Sequence, residues 1–169
     1  MLIFLIGYMG SGKSTIGAEL ARQLGLSFTD LDQSIEDAKG STIAEIFAKE
    51  GEAHFRQLET LHLQHFVNTH SSGILAAGGG TACFNGNMDV MNEEGITIYL
   101  KCTADTLRKR LEDSLQRPLL WQSAFSLDNH LHEREVHYQS ARYTITNDGK
   151  IKEAVDAILG LIKTASPSV

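Results

Sequence analysis

Residues 2–6, Leu-Ile-Phe-Leu-Ile, are apolar without alternation, the pattern of a strand covered on both faces of a parallel sheet. The period then changes. From Lys13 the apolar positions Ile16, Leu20 and Leu24 recur at helical spacing, and Gly25 stops the run. Residues 27–31 read as a second strand and 74–77 as a third that ends at Gly78-Gly79-Gly80. A fourth strand is expected at 96–100 and a fifth at 143–146, closed by Asn147-Asp148-Gly149. Helical patterns fill the intervals at about 42–49, 52–68, 87–94, 104–115, 126–141 and 150–163. The second of these places Phe55, Leu58, Leu61 and Phe66 toward a core. Strands alternating with helices predict a doubly wound α/β sheet with right-handed crossovers.

Composition narrows the class. The chain has 169 residues, the size of one domain spanning 1–169. It is 42% hydrophobic and 21% charged with only 2 Pro, which excludes a disordered chain. Fifteen Lys+Arg stand against 21 Asp+Glu, a net charge of −6. An acidic chain is a poor general binder of nucleic acid, so any phosphate chemistry must come from a local device. Cys83 and Cys102 are too few for a disulfide framework and suit a reducing cytosol. The apolar start is too short for a signal sequence, and no stretch approaches the ~18–20 apolar residues that span a bilayer. The expectation is a soluble, cytoplasmic monomer with no nucleic-acid or membrane partner.

The local device is Gly7-Tyr8-Met9-Gly10-Ser11-Gly12-Lys13-Ser14-Thr15, which fits the phosphate-binding loop Gly-x-x-x-x-Gly-Lys-Ser/Thr. Glycines permit a tight turn whose N–H groups face phosphate oxygens, a lysine neutralises the β/γ charge, and a serine hydroxyl reaches Mg²⁺. The helix that starts at Lys13 adds its positive end to the same anion. Gly10, Ser11, Gly12, Lys13, Ser14 and Thr15 are therefore the candidate ATP-binding residues, with Ser14 also on the metal. A dinucleotide fingerprint fits worse, since Thr15 stands where its third glycine belongs.

Among phosphate-loop proteins, a GTPase switch should carry Asn-Lys-x-Asp, which this chain lacks, and Asp37-Ala38-Lys39-Gly40 lies in a polar helix-to-turn stretch. The length leaves little room for a motor. A small-molecule kinase needs further carboxylates, an acceptor pocket and cations over the transferring phosphate. Asp30 and Asp32, two residues apart at the end of the second strand, supply the carboxylates as a pair on one side of the chain. Helix capping by Asp32 is an alternative use. Arg56, in a helix that otherwise buries apolar residues, reads as an acceptor-site cation or a surface side chain lying along its own stem. The triplet Gly78-Gly79-Gly80 opens bare backbone to a ligand or simply turns. His62-x-x-His65 reads as surface histidines rather than a metal site.

The loop 7–15, Asp30-x-Asp32, Gly51-Glu52 followed by Phe55-Arg56-x-x-Glu59, the glycine triplet, Arg117-Pro118-Leu119-Leu120, and Glu133-Arg134 followed by Tyr138 together resemble the shikimate kinase family. They fall in family order and cover residues 2–146. The resemblance implies a nucleoside monophosphate kinase-like, P-loop NTPase-type fold with a parallel five-stranded sheet flanked by helices. It also implies a substrate-binding region about 31–60 and a lid about 111–125. The implied activity is ATP-dependent phosphorylation of the 3-hydroxyl of shikimate, in the chorismate route to aromatic amino acids, with Mg²⁺. By position, Lys13 and Ser14 hold phosphate and Mg²⁺, Asp30 helps hold the metal, and Asp32 binds substrate hydroxyls. Arg56 and Arg134 grip the carboxylate, Gly78, Gly79 and Gly80 give backbone contact, Arg117 reaches the phosphates from the lid, and Arg110 stacks on adenine. Lys13, Asp32 and Arg117 are the implied catalytic residues. Two positions depart from the family pattern: Ala77 replaces a small hydroxyl residue, and Glu135-Val136-His137 lacks the proline that follows the arginine. The alternatives are another small-molecule kinase of the gluconate or nucleoside monophosphate type, and a non-catalytic nucleotide-binding regulatory module.

Overall fold

The computed structural model describes residues 1–112 and 126–165. Arg117 and most of the expected lid lie outside the described residues. The elements run β1 (Leu2–Ile6), α1 (Lys13–Leu24), β2 (Phe28–Asp30), α2 (Leu31–Lys39), α3 (Ile43–Thr69) and β3 (Gly73–Ala76). A 3-10 turn (Thr81–Cys83) leads to α4 (Asn87–Glu94), β4 (Gly95–Lys101), α5 (Ala104–Glu112), α6 (Leu127–Tyr138), β5 (Tyr143–Thr146) and α7 (Ile151–Ala165). The five strands pair in the order β2-β3-β1-β4-β5, all parallel. Five strands, each at the expected place, and helices on both faces match the doubly wound expectation.

The unbroken apolar run of β1 follows from its central position. Leu2, Phe4 and Ile6 face a core shared with α2, α3, α4, α5 and α6, while Ile3 and Leu5 face α1 and α7. Because both faces are covered, a polar residue anywhere in 2–6 would be stranded in apolar surroundings. The carboxyl ends of the parallel strands point to one edge, where the loops after β1, β2 and β3 meet.

Three local expectations need correction. The second strand stops at Asp30, and Leu31 already begins α2. Asp30, in an extended conformation, is the N-cap: its carboxylate accepts from the N–H groups of Asp32 (3.1 Å) and Gln33 (3.3 Å). Capping therefore belongs to Asp30, and the two aspartates do not share a strand face. As expected from separate helical patterns at about 42–49 and 52–68, the long helix α3 is divided at Gly51, whose φ of 82° and ψ of 168° interrupt it. Its start is fixed by a capping box between Thr42 and Glu45. The inward face of α3 carries Phe55, Arg56, Glu59, Leu63 and Phe66, whereas Leu61 points to solvent. The apolar stripe is displaced because Arg56 and Glu59 neutralise each other inside it. No helix among the described residues is long and apolar enough to cross a membrane.

Candidate active site

The loop after β1 is built to receive an anion. Gly12 opens α1 with φ 91°, and a Cβ there would lie 2.9 Å from Asn147 Nδ2, so both backbone and space demand glycine. No side chain caps α1, and no acidic residue occupies its first turn. Ser11 Oγ is buried and has no hydrogen-bond partner among the described residues. Uncapped N–H groups, a buried hydroxyl and a helix N-terminus together fit a nucleotide's phosphates. Lys13 is buried, its Nζ donating to the carbonyls of Gly7 (2.8 Å) and Tyr8 (2.9 Å).

The carboxyl end of β5 braces this loop. Asn147 donates through Nδ2 to Ser11 O (2.7 Å) and through its backbone N–H to Lys101 O (2.8 Å). Arg110 donates from Nη2 to Asn147 O (2.8 Å) and from Nη1 to Gly10 O (3.4 Å). Its guanidinium thus lies along the phosphate loop.

Asp30 and Asp32 divide between two sides of the cleft. Ser14 Oγ donates to Asp30 Oδ2 in a short contact, which joins the two hard oxygen donors expected on Mg²⁺. Asp32 instead faces the glycine triplet: a Cβ on Gly78 would come 2.7 Å from Asp32 Oδ1 and 2.6 Å from Glu59 Oε1. That side chain would collide with both carboxylates, so Gly78 makes room for the acidic cluster.

Arg56 is not a surface side chain. It is 8% exposed, and its planar fork serves two carboxylates. Nη1 donates to Glu59 Oε2 (2.7 Å), while Nε and Nη2 donate to Glu52 Oε1 (3.1 and 2.8 Å). The Phe84 ring lies beneath it at 4.4 Å. Glu59 is fully buried and accepts a second bond from Thr81 Oγ1 (2.5 Å). A Cβ on Gly80 would stand 2.8 Å from Arg56 Cζ. Arg134 approaches the neighbouring glycine from α6, its Nη1 donating to Gly79 O (3.1 Å), and Tyr138 donates its hydroxyl to the same carbonyl. Helix α6 runs unbroken through Glu135, Val136 and His137, where the family pattern has proline. Gly79 and Gly80 are thus flanked by two guanidiniums from distant parts of the chain.

The structure brings Lys13, Ser14, Asp30 and Arg110 to the phosphate loop, and gathers Asp32, Arg56 and Arg134 around Gly78, Gly79 and Gly80. Burial pushes up the thiols of Cys83 and Cys102, so both stay protonated. His62 lies apart, its Nδ1 2.9 Å from Ser34 Oγ in a groove lined also by Asp37 and His65. Three contributors were not assigned from sequence. Glu59 had a usable signal, standing three residues after Arg56 on the same helix face. Asn147 and His130 had none, because their partners Ser11 and Tyr8 are more than a hundred residues away.

The family model "Shikimate kinase" matches residues 9–163. A shikimate kinase of Azobacteroides pseudotrichonymphae is 43% identical over 145 residues, covering 82% of this chain and 85% of that protein. One of Persephonella marina is 36% identical over 162 residues, covering 95% and 98%. Among solved structures, a shikimate kinase from Acinetobacter baumannii in complex with shikimate superposes with a TM-score of 0.88 at 35% identity, covering 99% of this chain and 95% of that one. Deoxyadenosine kinase from M. mycoides, at 16% identity and a TM-score of 0.66, shares the fold alone.

Proposed function

The chain belongs to the shikimate kinase family, and we propose that it transfers the γ-phosphoryl group of ATP to the 3-hydroxyl of shikimate, a step on the chorismate route to aromatic amino acids. The observation that carries this reading is the pair of guanidiniums, Arg56 and Arg134, set against Gly80 and Gly79. With Asp32 beside Gly78, that constellation suits a small acid bearing hydroxyls: planar forks match a carboxylate, and an aspartate accepts from hydroxyls.

In this reading the phosphate-loop N–H groups and Lys13 hold the β- and γ-phosphates, and Arg110 borders the nucleotide. Ser14 and Asp30 hold Mg²⁺, which would neutralise charge on the same phosphates. Arg56 and Arg134 fix the substrate's carboxylate, and Asp32 orients the attacking hydroxyl. The hydroxyl oxygen forms a bond to γ-phosphorus and gives up its proton toward the Asp32 carboxylate as the bond to the ADP oxygen breaks, with no covalent enzyme intermediate. Positioning and charge neutralisation supply the acceleration. Arg117 is assigned to the phosphates by its place in the family motif.

Coupled ADP release tests the proposal. Turnover should appear with ATP, Mg²⁺ and shikimate, and be absent when gluconate or a nucleoside monophosphate replaces shikimate. Release with either replacement and none with shikimate would overturn it. ATP binding without any release would identify a regulatory module instead.

A further inference from the structure

His130, Arg134 and Tyr138 stand four residues apart on α6 and therefore form one row. All three reach the two glycine-rich turns. Tyr138 and Arg134 donate to Gly79 O. Arg134 also lies over the Tyr8 ring, 5.7 Å from its centroid. His130 Nδ1 is 2.7 Å from the Tyr8 hydroxyl, with the two rings edge to face at 5.6 Å. Tyr8 is 1% exposed and belongs to the phosphate loop, between Gly7 and Met9.

The polarity of the Tyr8–His130 bond is set by its surroundings. Burial raises the Tyr8 phenol to about 12, so it keeps its proton and donates. Burial, and then the charge of Arg134, push His130 below the ordinary histidine value, so a neutral Nδ1 accepts. A cation over an aromatic ring is only loosely held sideways. The ring must itself be anchored if it is to fix the cation.

We infer that His130 is a positioning residue: through the Tyr8 hydroxyl it anchors the ring on which Arg134 rests, and so ties the acceptor's carboxylate grip to the phosphate loop. The role rests on the shikimate kinase reading given above. It makes Tyr8 a mechanical link between the two substrates, and it gives the first turn of α6 a function that no charged contact to substrate requires.

Steady-state kinetics and ¹⁵N spectra of the histidine ring test the link. His130→Leu should raise KM for shikimate about three- to tenfold, the worth of one neutral hydrogen bond, and leave KM for ATP unchanged. His130→Asn, whose Oδ1 stands near the position of Nδ1, should recover most of the loss. Tyr8→Phe should repeat the effect of His130→Leu, and the double variant should be no worse than either. In spectra without substrate, the His130 Nδ1 resonance should be that of an unprotonated acceptor and should move in Tyr8→Phe. Leu and Asn variants behaving alike, both KM values rising together, or an Nδ1 resonance unmoved by Tyr8→Phe would each overturn the inference. A wild-type chain inert toward shikimate would overturn the proposed function, and with it the role of the row. An active wild type with those variant results overturns the row's role alone.

Discussion

Arg56→Lys separates the charge of the buried fork from its shape. In the protein Arg56 binds Glu59 through Nη1 and Glu52 through Nε and Nη2, while the Phe84 ring supports the guanidinium plane. A lysine ammonium keeps the charge but is one point at the end of a flexible stem. It can stay with Glu59, whose side chain is 1% exposed, and must then leave Glu52, whose side chain is 58% exposed. The bond to Glu52, screened by water, is worth about 0–1 kcal/mol. Lost stacking on Phe84 adds about 0.5–1 kcal/mol. The fold should therefore lose about 0.5–2 kcal/mol, or about 1–8 °C in Tm for a domain of this size.

The loss on the ligand side is larger. One charge-assisted hydrogen bond to a carboxylate is worth ~1.5–3 kcal/mol, so KM for shikimate should rise about 10- to 150-fold. KM for ATP should hold, because Arg56 packs against Gly80 and not against the phosphate loop. Arg56→Ala is a poorer probe. It strands the fully buried Glu59 with Thr81 as its remaining donor, at about 3–5 kcal/mol, and mixes unfolding with lost binding. Coupled ADP release with shikimate varied at saturating ATP, beside scanning calorimetry, reads both effects. An unchanged KM for shikimate, or equal rises for both substrates, would refute the carboxylate role of this fork.

Lys13→Ala should lower kcat/KM by about a hundredfold or more with an unaltered circular dichroism spectrum; near-wild-type turnover would end the phosphate-loop assignment. Asp30→Asn keeps an equally good helix cap, so Tm should hold while the Mg²⁺ concentration for half-maximal rate rises several-fold; unchanged Mg²⁺ dependence would remove Asp30 from the metal. Gly78→Ala drives a methyl group against Asp32 and Glu59 and should cut kcat/KM for shikimate about 10- to 100-fold; wild-type kinetics would show that Asp32 needs no fixed place. His62, by burial and then by His65, and His130 both hold their protons less tightly than free histidine. Below pH ~6.5 the unfolded chain binds protons that the folded one refuses, so Tm should fall from pH 7.5 to 5.5. His62→Gln should flatten that slope, and a Tm that rises on acidification would contradict the sign.

What was legible in the sequence followed from periodicity and from local spacing. β1 and α1 announce themselves because one is covered on both faces and the other on one, and Gly12-Lys13-Ser14 sits where the period changes. The position of α2 was less visible. Asp30 ends a three-residue strand and caps a helix in the same residue, so a period-2 reading carried the strand one residue too far and paired two aspartates that in fact part company. Leu61 was misplaced for a related reason: hydrophobicity alone aligns the stripe of α3 on its leucines, whereas a buried Arg56–Glu59 pair turns the helix toward Leu63. The bracing of Ser11 by Asn147 and of Tyr8 by His130 lies in the tertiary structure, and no window of sequence contains both partners.

The central strand has a consequence for how the chain is made. β1 leaves the ribosome before either of its neighbours: its ladder partners are Gly73–Ala76 on one side and Gly95–Tyr99 on the other. At ~5–20 residues per second, roughly 5–20 s pass before the second flank has been synthesised. For that interval five apolar side chains with strong strand preference and no charge stand unpaired, the composition of an aggregating segment. Of the five strands, β1 waits longest for its last neighbour, so the yield of folded chain in a crowded cell should depend on what shields residues 2–6 during that interval.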